Sequence, residues 1–155
     1  MTMALFFDSS ALVKRYVAEA GSTWVQMVTA LENGRNLIVA RITWVEVLSA
    51  FARLRHEDKL SDGDVTAVIQ TFRYDFDTQY QVVELDKTLA YQAGQLLQRH
   101  PLRAYDSVQL TSALALKPTF DQFPGVELTF ISADKRLLKA ARTEGLAVDN
   151  PNDHL

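Results

Sequence analysis

The sequence predicts an α/β fold in which helices cover both faces of a central parallel sheet. Three observations indicate this: the predicted strands are short and apolar on both faces, helical segments separate them, and 155 residues suit one domain. A strand with one wet face would alternate apolar and polar residues instead. No Gly/Ser/Pro-rich linker interrupts the chain, so we expect residues 1–155 to form a single domain.

Four or five strands are predicted from runs of branched and aromatic residues. They are Met3–Phe7, Leu37–Ala40, Gln81–Leu85, Glu127–Ser132 and a weaker fifth segment, Leu146–Asp149. Because each run is almost continuously apolar, helices must cover both of its faces.

Seven segments between the strands show the spacing of apolar residues that is typical of helices. They are Ser10–Ala18, Ser22–Leu31, Thr43–Lys59, Ser61–Thr78, Lys87–Arg99, Ala104–Lys117 and Asp134–Glu144. Thr43 and Glu46 have the spacing of a capping box, and Pro118 is expected to end the sixth helix. The element order is therefore βααβααβααβαβ.

The composition excludes several classes of protein. Hydrophobic and charged shares of 48% and 23% indicate a folded chain rather than a disordered one. The absence of cysteine excludes a disulfide framework and a thiolate zinc site. Apolar runs such as Leu37–Ala40 fall far short of the ~20 residues that cross a bilayer, and the amino-terminal residues lack a secretory signal pattern. We expect a cytoplasmic protein without a membrane partner.

The charge balance limits how the chain could bind nucleic acid. A formal net charge of −3, from 16 Lys+Arg and 19 Asp+Glu, argues against binding by bulk positive charge. A polyanionic partner must therefore meet a local basic patch or a metal ion.

Four carboxylates are placed to converge at one edge of the sheet. Asp8 and Asp134 directly follow predicted strands, and the carboxyl ends of parallel strands are where open sheets place their sites. Glu46 lies in the first turn of the helix after the second strand, so it belongs to the same edge. Asp106 opens the last helix before the fourth strand and reaches this edge if that helix runs antiparallel to the strand.

A cluster of four acids favours a hard cation. Like charges at close range raise one another's pKa unless a cation compensates, and oxygen ligands without His or Cys suit Mg²⁺ or Mn²⁺. The chemistry that fits is metal-assisted hydrolysis of a phosphodiester. The alternative is structural, because each acid taken singly fits a turn or the start of a helix.

Four segments resemble a known family. They are Phe7–Lys14 (FDSSALVK), Thr43–Val47 (TWVEV), Leu102–Leu110 (LRAYDSVQL) and Phe130–Leu138 (FISADKRLL). In this order and spacing they resemble the PIN-domain ribonucleases, specifically the VapC-type toxins of toxin–antitoxin pairs, over about residues 5–146. The resemblance implies a three-layer α/β/α fold with strand order 3-2-1-4-5, a homodimer, Mg²⁺- or Mn²⁺-dependent endonucleolytic cleavage of RNA, and inhibition by a small antitoxin.

The resemblance also implies roles for particular residues. Asp8, Glu46, Asp106 and Asp134 match the catalytic acids of the family. Asp8 and Asp106 are expected to bind the metal directly, and Asp134 directly or through a water. Glu46 is expected to position or deprotonate the attacking water. Ser10 matches the hydroxyl residue that supports the first acid. Ser132, close to Asp134 in sequence, is a separate candidate for supporting the acids of the site.

Basic residues near these acids are candidates for binding the RNA backbone. Arg103 is the strongest candidate, and Lys14 and Lys135 are two further candidates. Exposure on a solvated helix face explains such charges equally well. Tyr105 and Trp44 adjoin the acids and suit either base stacking or core packing.

A surface for the antitoxin is expected on the segment 10–31, which is rich in large apolar residues, unless these residues belong to the core.

Two other functions remain open on the sequence alone. One is a catalytically silent PIN-like module that binds RNA or protein. The other is a related metal phosphatase or DNA nuclease.

Overall fold

Five strands form one parallel sheet in the computed structural model, which describes residues 2–155. They are β1 (Thr2–Phe7), β2 (Asn36–Ala40), β3 (Gln81–Val83), β4 (Val126–Ile131) and β5 (Ala147–Asp149). Their order is β3-β2-β1-β4-β5, and all four pairings are parallel. The predicted order 3-2-1-4-5 is therefore confirmed.

Helices cover both faces of the sheet. They are α1 (Ser9–Leu12), α2 (Ser22–Thr29), α3 (Thr43–His56), α4 (Asp62–Thr78), α5 (Lys87–Leu97), α6 (Ala104–Leu114), α7 (Lys117–Asp121) and α8 (Lys135–Thr143). Leu5 and Phe7 of β1 face a core that α1 to α4 complete, whereas Ala4 and Phe6 face a second core under α5, α6 and α8. This alternation confirms the three-layer arrangement that the apolar strands predict.

The segment 10–31 contributes mainly to the first of these cores. Leu12, Val25 and Val28 are buried there, and Trp24 packs against the same cluster. Core packing therefore accounts for most of the apolar residues that suggested a docking surface.

The first predicted helix, Ser10–Ala18, is much shorter than expected. Only Ser9–Leu12 is α-helical, and a 3₁₀ turn follows over Val13–Arg15. The hydroxyl of Ser22 accepts a hydrogen bond from the amide of Glu19 and donates one to the carbonyl of Val17. The amide of Glu19 and the carbonyl of Val17 thus find hydrogen-bond partners in the Ser22 side chain, so the chain after the turn needs no further helix.

The third helix starts at Thr43 as predicted, but its predicted capping box and the predicted end of the sixth helix are wrong. Ile42 precedes α3 as its N-cap, and Thr43 caps nothing because it already lies within the helix. The sixth helix ends at Leu114 rather than Lys117, and Pro118 lies in the first turn of α7. Proline is tolerated there, because the first-turn amides have no helical partner.

None of the helices within residues 2–155 combines the length and the apolar character needed to cross a bilayer.

Candidate active site

Asp8 is a buried carboxylate at the carboxyl end of β1. Its side chain caps α1, accepting a 2.9 Å hydrogen bond from the amide of Ala11. The hydroxyl of Ser10 donates to Oδ1 at 2.8 Å, and that of Ser132 donates to Oδ2 at 2.6 Å. Only 3% of Asp8 is exposed, so these groups replace water around the carboxylate.

The charge on Asp8 is nevertheless unfavourable. The pKa of Asp8 is raised to about 6: burial is the main cause and the nearby charge of Glu46 a smaller one, and together they outweigh three hydrogen bonds that lower the pKa. Within residues 2–155 no Lys, Arg or His side chain forms an ion pair with this carboxylate. The position is thus a strongly favourable place for a positive charge.

Ser10 and Ser132 join the ends of β1 and β4 around this carboxylate. The hydroxyl of Ser10 accepts a 3.0 Å hydrogen bond from the amide of Ala133, and that of Ser132 accepts one of 3.0 Å from the amide of Asp134. Each hydroxyl is held by a backbone amide, so its proton is directed at Asp8. Both serines therefore contact Asp8, a contact that the resemblance implies for Ser10 alone.

Glu46 lies in the first turn of α3 and is held by a residue of α6. The buried amide of Gln109 donates to Oε1 of Glu46 at 2.7 Å and to the hydroxyl of Thr43 at 2.8 Å. Burial is the main reason that the pKa of Glu46 is raised, and the charge of Asp106 adds to it, while the Gln109 amide lowers it. Glu46 is therefore close enough to both Asp8 and Asp106 to affect and be affected by their charges.

Asp106 and Asp134 share one cation, Arg103. Nε of Arg103 donates to Oδ2 of Asp106 at 2.9 Å, and its Nη2 lies 3.7 Å from Oδ2 of Asp134. The other oxygen of Asp134 accepts hydrogen bonds from the amides of Arg136 and Leu137, at 2.9 and 3.3 Å. Asp134 thus caps α8, as the structural alternative predicts, and faces Arg103 as well.

The donor chemistry of this edge fits Mg²⁺ or Mn²⁺, since all four acids offer hard oxygen atoms. Within residues 2–155, however, no three Asp, Glu, His or Cys side chains are already arranged to hold a metal ion. Arg103 provides a physical reason, because its guanidinium lies between two of the acids. Binding of an ion would require some of these side chains to move.

Gln109 is a component of the site that sequence reasoning missed. It is 1% exposed, which is unusual for glutamine. The available signal is its position one helical turn after Asp106, on a stretch of α6 whose neighbours are buried. A polar side chain there needs a partner, and Glu46 is that partner.

The basic candidates have different surroundings. Lys14 is buried and pairs with Glu19 at 3.3 Å, so its expected role in RNA binding does not suit this position. Lys135 is exposed at the start of α8. Arg103 has a side chain that is 60% exposed and that lies over the ring of Tyr105, 4.8 Å from its centroid.

The two aromatic candidates, Trp44 and Tyr105, also have different surroundings. Trp44 stacks on Phe72 in the core, with ring centroids 5.1 Å apart, so core packing explains it. Tyr105 is 38% exposed and lines an open cleft of about 500 Å³, together with Glu46 and Arg53. Only Tyr105 is available to a ligand.

Comparison with known proteins gives consistent results over most of the chain. The family described as PIN domain matches residues 5–143. Ribonuclease VapC45 and Ribonuclease VapC49, from two strains of Mycobacterium tuberculosis, are each 32% identical over 145 residues, 93% of either chain.

Two solved structures share the fold. FitAcB from Neisseria gonorrhoeae has a TM-score of 0.65 at 16% identity, covering 97% of this chain and 99% of its own. A toxin–antitoxin complex from Klebsiella pneumoniae contains a chain with a TM-score of 0.58 at 17% identity, covering 95% of this chain and 97% of its own. Sheet order, sequence match and relatives agree: the chain belongs to the PIN-domain family, as a VapC-type member.

Proposed function

We propose that the protein is a divalent-metal-dependent endoribonuclease that hydrolyses RNA phosphodiester bonds. The observation that carries the proposal is the set of four carboxylates at one sheet edge, of which Asp8 is buried with its pKa raised to about 6. The names of the M. tuberculosis relatives, both ribonucleases, support this choice of substrate.

Mg²⁺ or Mn²⁺ would be held by Asp8 and Asp106, with Asp134 contributing directly or through a water. When bound, such an ion supplies neutralisation of phosphate charge and activation of water for in-line attack. The hydroxyls of Ser10 and Ser132 fix the orientation of Asp8, and the amide of Gln109 fixes that of Glu46. Glu46, whose pKa is raised, then orients the attacking water or accepts its proton.

The RNA backbone would enter along α8. Four exposed cations follow Asp134 on this helix and form no ion pair with an acid anywhere in residues 2–155: Lys135, Arg136, Lys139 and Arg142. The opposite side of α8 is buried through Leu137 and Leu138. A line of unpaired positive charge leading away from a carboxylate cluster suits phosphates on either side of a scissile bond.

The biological role we propose is that of the toxin in a toxin–antitoxin pair, with a small antitoxin as partner and a homodimer as the active assembly. The similarity to a chain of the Klebsiella complex supports an antitoxin partner. Expression of the chain alone should arrest growth, and co-expression with a small antitoxin that binds it should restore growth.

A cleavage assay tests the enzymatic proposal. Purified protein should cut single-stranded RNA with Mg²⁺ or Mn²⁺ and should lose this activity in EDTA. Asp8→Asn and Asp106→Asn should each abolish cleavage, whereas Asp86→Asn, which alters a helix-capping aspartate outside the cluster, should retain it. Cleavage that survives EDTA or Asp8→Asn would refute the mechanism.

The same assay separates the alternatives. Tight RNA binding without turnover, and without calorimetric binding of Mn²⁺, would identify a silent binding module. Preferential hydrolysis of DNA or of phosphomonoesters in a substrate panel would indicate the related nuclease or phosphatase.

A further inference from the structure

We propose that Arg103 is a built-in counter-ion that takes the place of the divalent cation between Asp106 and Asp134, and that it must leave them when the ion binds. The inference rests on the proposed function, because it concerns the same acids. It adds a residue that controls metal affinity without being a metal ligand.

The geometry supports competition rather than coexistence. Arg103 makes a 2.9 Å hydrogen bond to Asp106 Oδ2 and lies 3.7 Å from Asp134 Oδ2. Asp134 uses its second oxygen as the cap of α8. The oxygen that faces Arg103 is therefore the one left for a metal ion, and the guanidinium has no lone pair with which to join the coordination.

Arg103 is also placed to move. Its side chain is 60% exposed, and it precedes α6 as an N-cap that makes no side-chain capping hydrogen bond. Tyr105 lies under the guanidinium on the open cleft beside Glu46. Once released, the cation remains at the mouth of the site, where a phosphate of the substrate could replace the carboxylates as its partner.

Calorimetric titration with Mn²⁺ alone tests the competition. We expect Arg103→Ala to bind Mn²⁺ about two- to fivefold more tightly than the wild type, the factor expected for loss of an exposed ion pair. Arg103→Lys keeps the charge but lacks the guanidinium fork that faces both carboxylates, so its Mn²⁺ affinity should fall between those of the wild type and Arg103→Ala. A residue with a merely structural role would show the opposite sign, because damage to the site weakens metal binding.

Arg99→Ala is the matched control. Arg99 has a side chain that is 54% exposed and forms a 2.9 Å ion pair with Glu144, which is the C-cap of α8, whereas Asp134 is the N-cap of that helix. Replacing Arg99 removes the same charge from the protein, but at the opposite end of α8. In ~0.15 M salt, where the Debye length is about 8 Å, this change should therefore leave the Mn²⁺ affinity unchanged.

A second measurement follows Arg103 in the wild-type protein. In NMR spectra, the Nε–H signal of Arg103 should shift on addition of diamagnetic Mg²⁺, as its bond to Asp106 breaks. The Nε–H of Arg41, bonded to Glu84 at 2.6 Å outside the cluster, should stay in place.

The outcomes separate the two proposals. Equal or weaker Mn²⁺ binding by Arg103→Ala, with wild-type binding intact, overturns the counter-ion role and leaves the metal-dependent nuclease standing. Absence of Mn²⁺ binding in both the wild type and Arg103→Ala overturns both proposals. Binding by the variant alone would be the strongest support for competition.

Discussion

The hydroxyl of Ser132 donates a 2.6 Å hydrogen bond to the carboxylate of Asp8, across 124 positions of sequence. The contact exists because β1 and β4 are parallel neighbours, with Phe7 paired to Ile131, so the residues that follow each strand meet. Strand pairing therefore fixes the relative positions of Asp8 and Ser132, which directly follow β1 and β4. The most buried charge of the site is held by the two central strands, and changes there should affect both stability and catalysis.

Asp8→Asn should stabilise the protein at neutral pH. Since the pKa of Asp8 rises from 3.8 unfolded to about 6 folded, the native state binds the proton more tightly, and the free energy of unfolding falls as pH rises through this window. Asparagine carries no such charge. Urea denaturation should show an advantage of order 1–3 kcal/mol at pH 7–8 that disappears near pH 4.

Saturating Mg²⁺ should reduce the difference in the free energy of unfolding between Asp8→Asn and the wild type, because the ion should stabilise only the wild type. The control variant is Asp86→Asn, which removes another capping carboxylate. If Asp8→Asn is equally destabilising at pH 4 and pH 8, the buried charge is not the dominant effect.

Ser132→Ala should move the pH dependence of cleavage to higher pH. The Ser132 hydroxyl is the strongest of the hydrogen bonds that lower the pKa of Asp8, so its loss raises that pKa and delays ionisation. We expect the acidic limb of kcat/KM to shift upward by about one unit. Ser112→Ala removes a buried hydroxyl whose one hydrogen bond within residues 2–155 is to the carbonyl of Val108, so the pH profile of this variant should match that of the wild type. An unshifted profile for Ser132→Ala would contradict the role of this hydroxyl.

The sheet and the edge that carries the acids could be predicted because they depend on local patterns. Apolar strands require cover on both faces, and residues that follow parallel strands meet at one edge. Asp8 and Asp134 follow β1 and β4 in this way, so their proximity needed only the strand assignment. The strand order itself came from the family resemblance.

The partners of each acid could not be predicted, because they depend on side-chain directions between distant elements. Thr43 and Glu46 have the spacing of a capping box, yet both bind Gln109 from α6. The sequence indicates Arg103 as an RNA contact but gives no sign of its ion pairs with Asp106 and Asp134. Lys14 lies close to Asp8 in sequence, but the short α1 leaves it buried against Glu19.

Gln109→Leu should reduce both stability and activity. The Gln109 amide satisfies Glu46 and Thr43, so leucine leaves two polar groups without this donor, at a cost of about 1–3 kcal/mol. Because that amide also lowers the pKa of Glu46, the cleavage profile should shift toward higher pH.

Thr111→Val is the matched control for this variant. Thr111 lies on the same helix, and its buried hydroxyl has no hydrogen-bond partner within residues 2–155. Because valine has nearly the same shape, the free energy of unfolding of Thr111→Val should therefore lie within about 0.5 kcal/mol of the wild-type value. A similar loss in both variants would mean that packing, rather than hydrogen bonding to Glu46, explains the effect.

Gly21→Ala should destabilise the fold far more than Gly34→Ala, although both glycines have positive φ angles of 83° and 63°. A Cβ at Gly34 would meet nothing within 4 Å, so its cost is the left-handed conformation alone, about 1–2 kcal/mol. A Cβ at Gly21 would lie 2.6 Å from the backbone oxygen of Pro151, in the turn that follows β5.

Relief of the clash at Gly21→Ala must separate the turn from α2 and weaken the stacking of Trp24 on His154. We expect urea denaturation to show an additional loss of at least ~1–2 kcal/mol for Gly21→Ala, and equal losses in the two variants would show that the carboxyl-terminal turn does not stabilise α2.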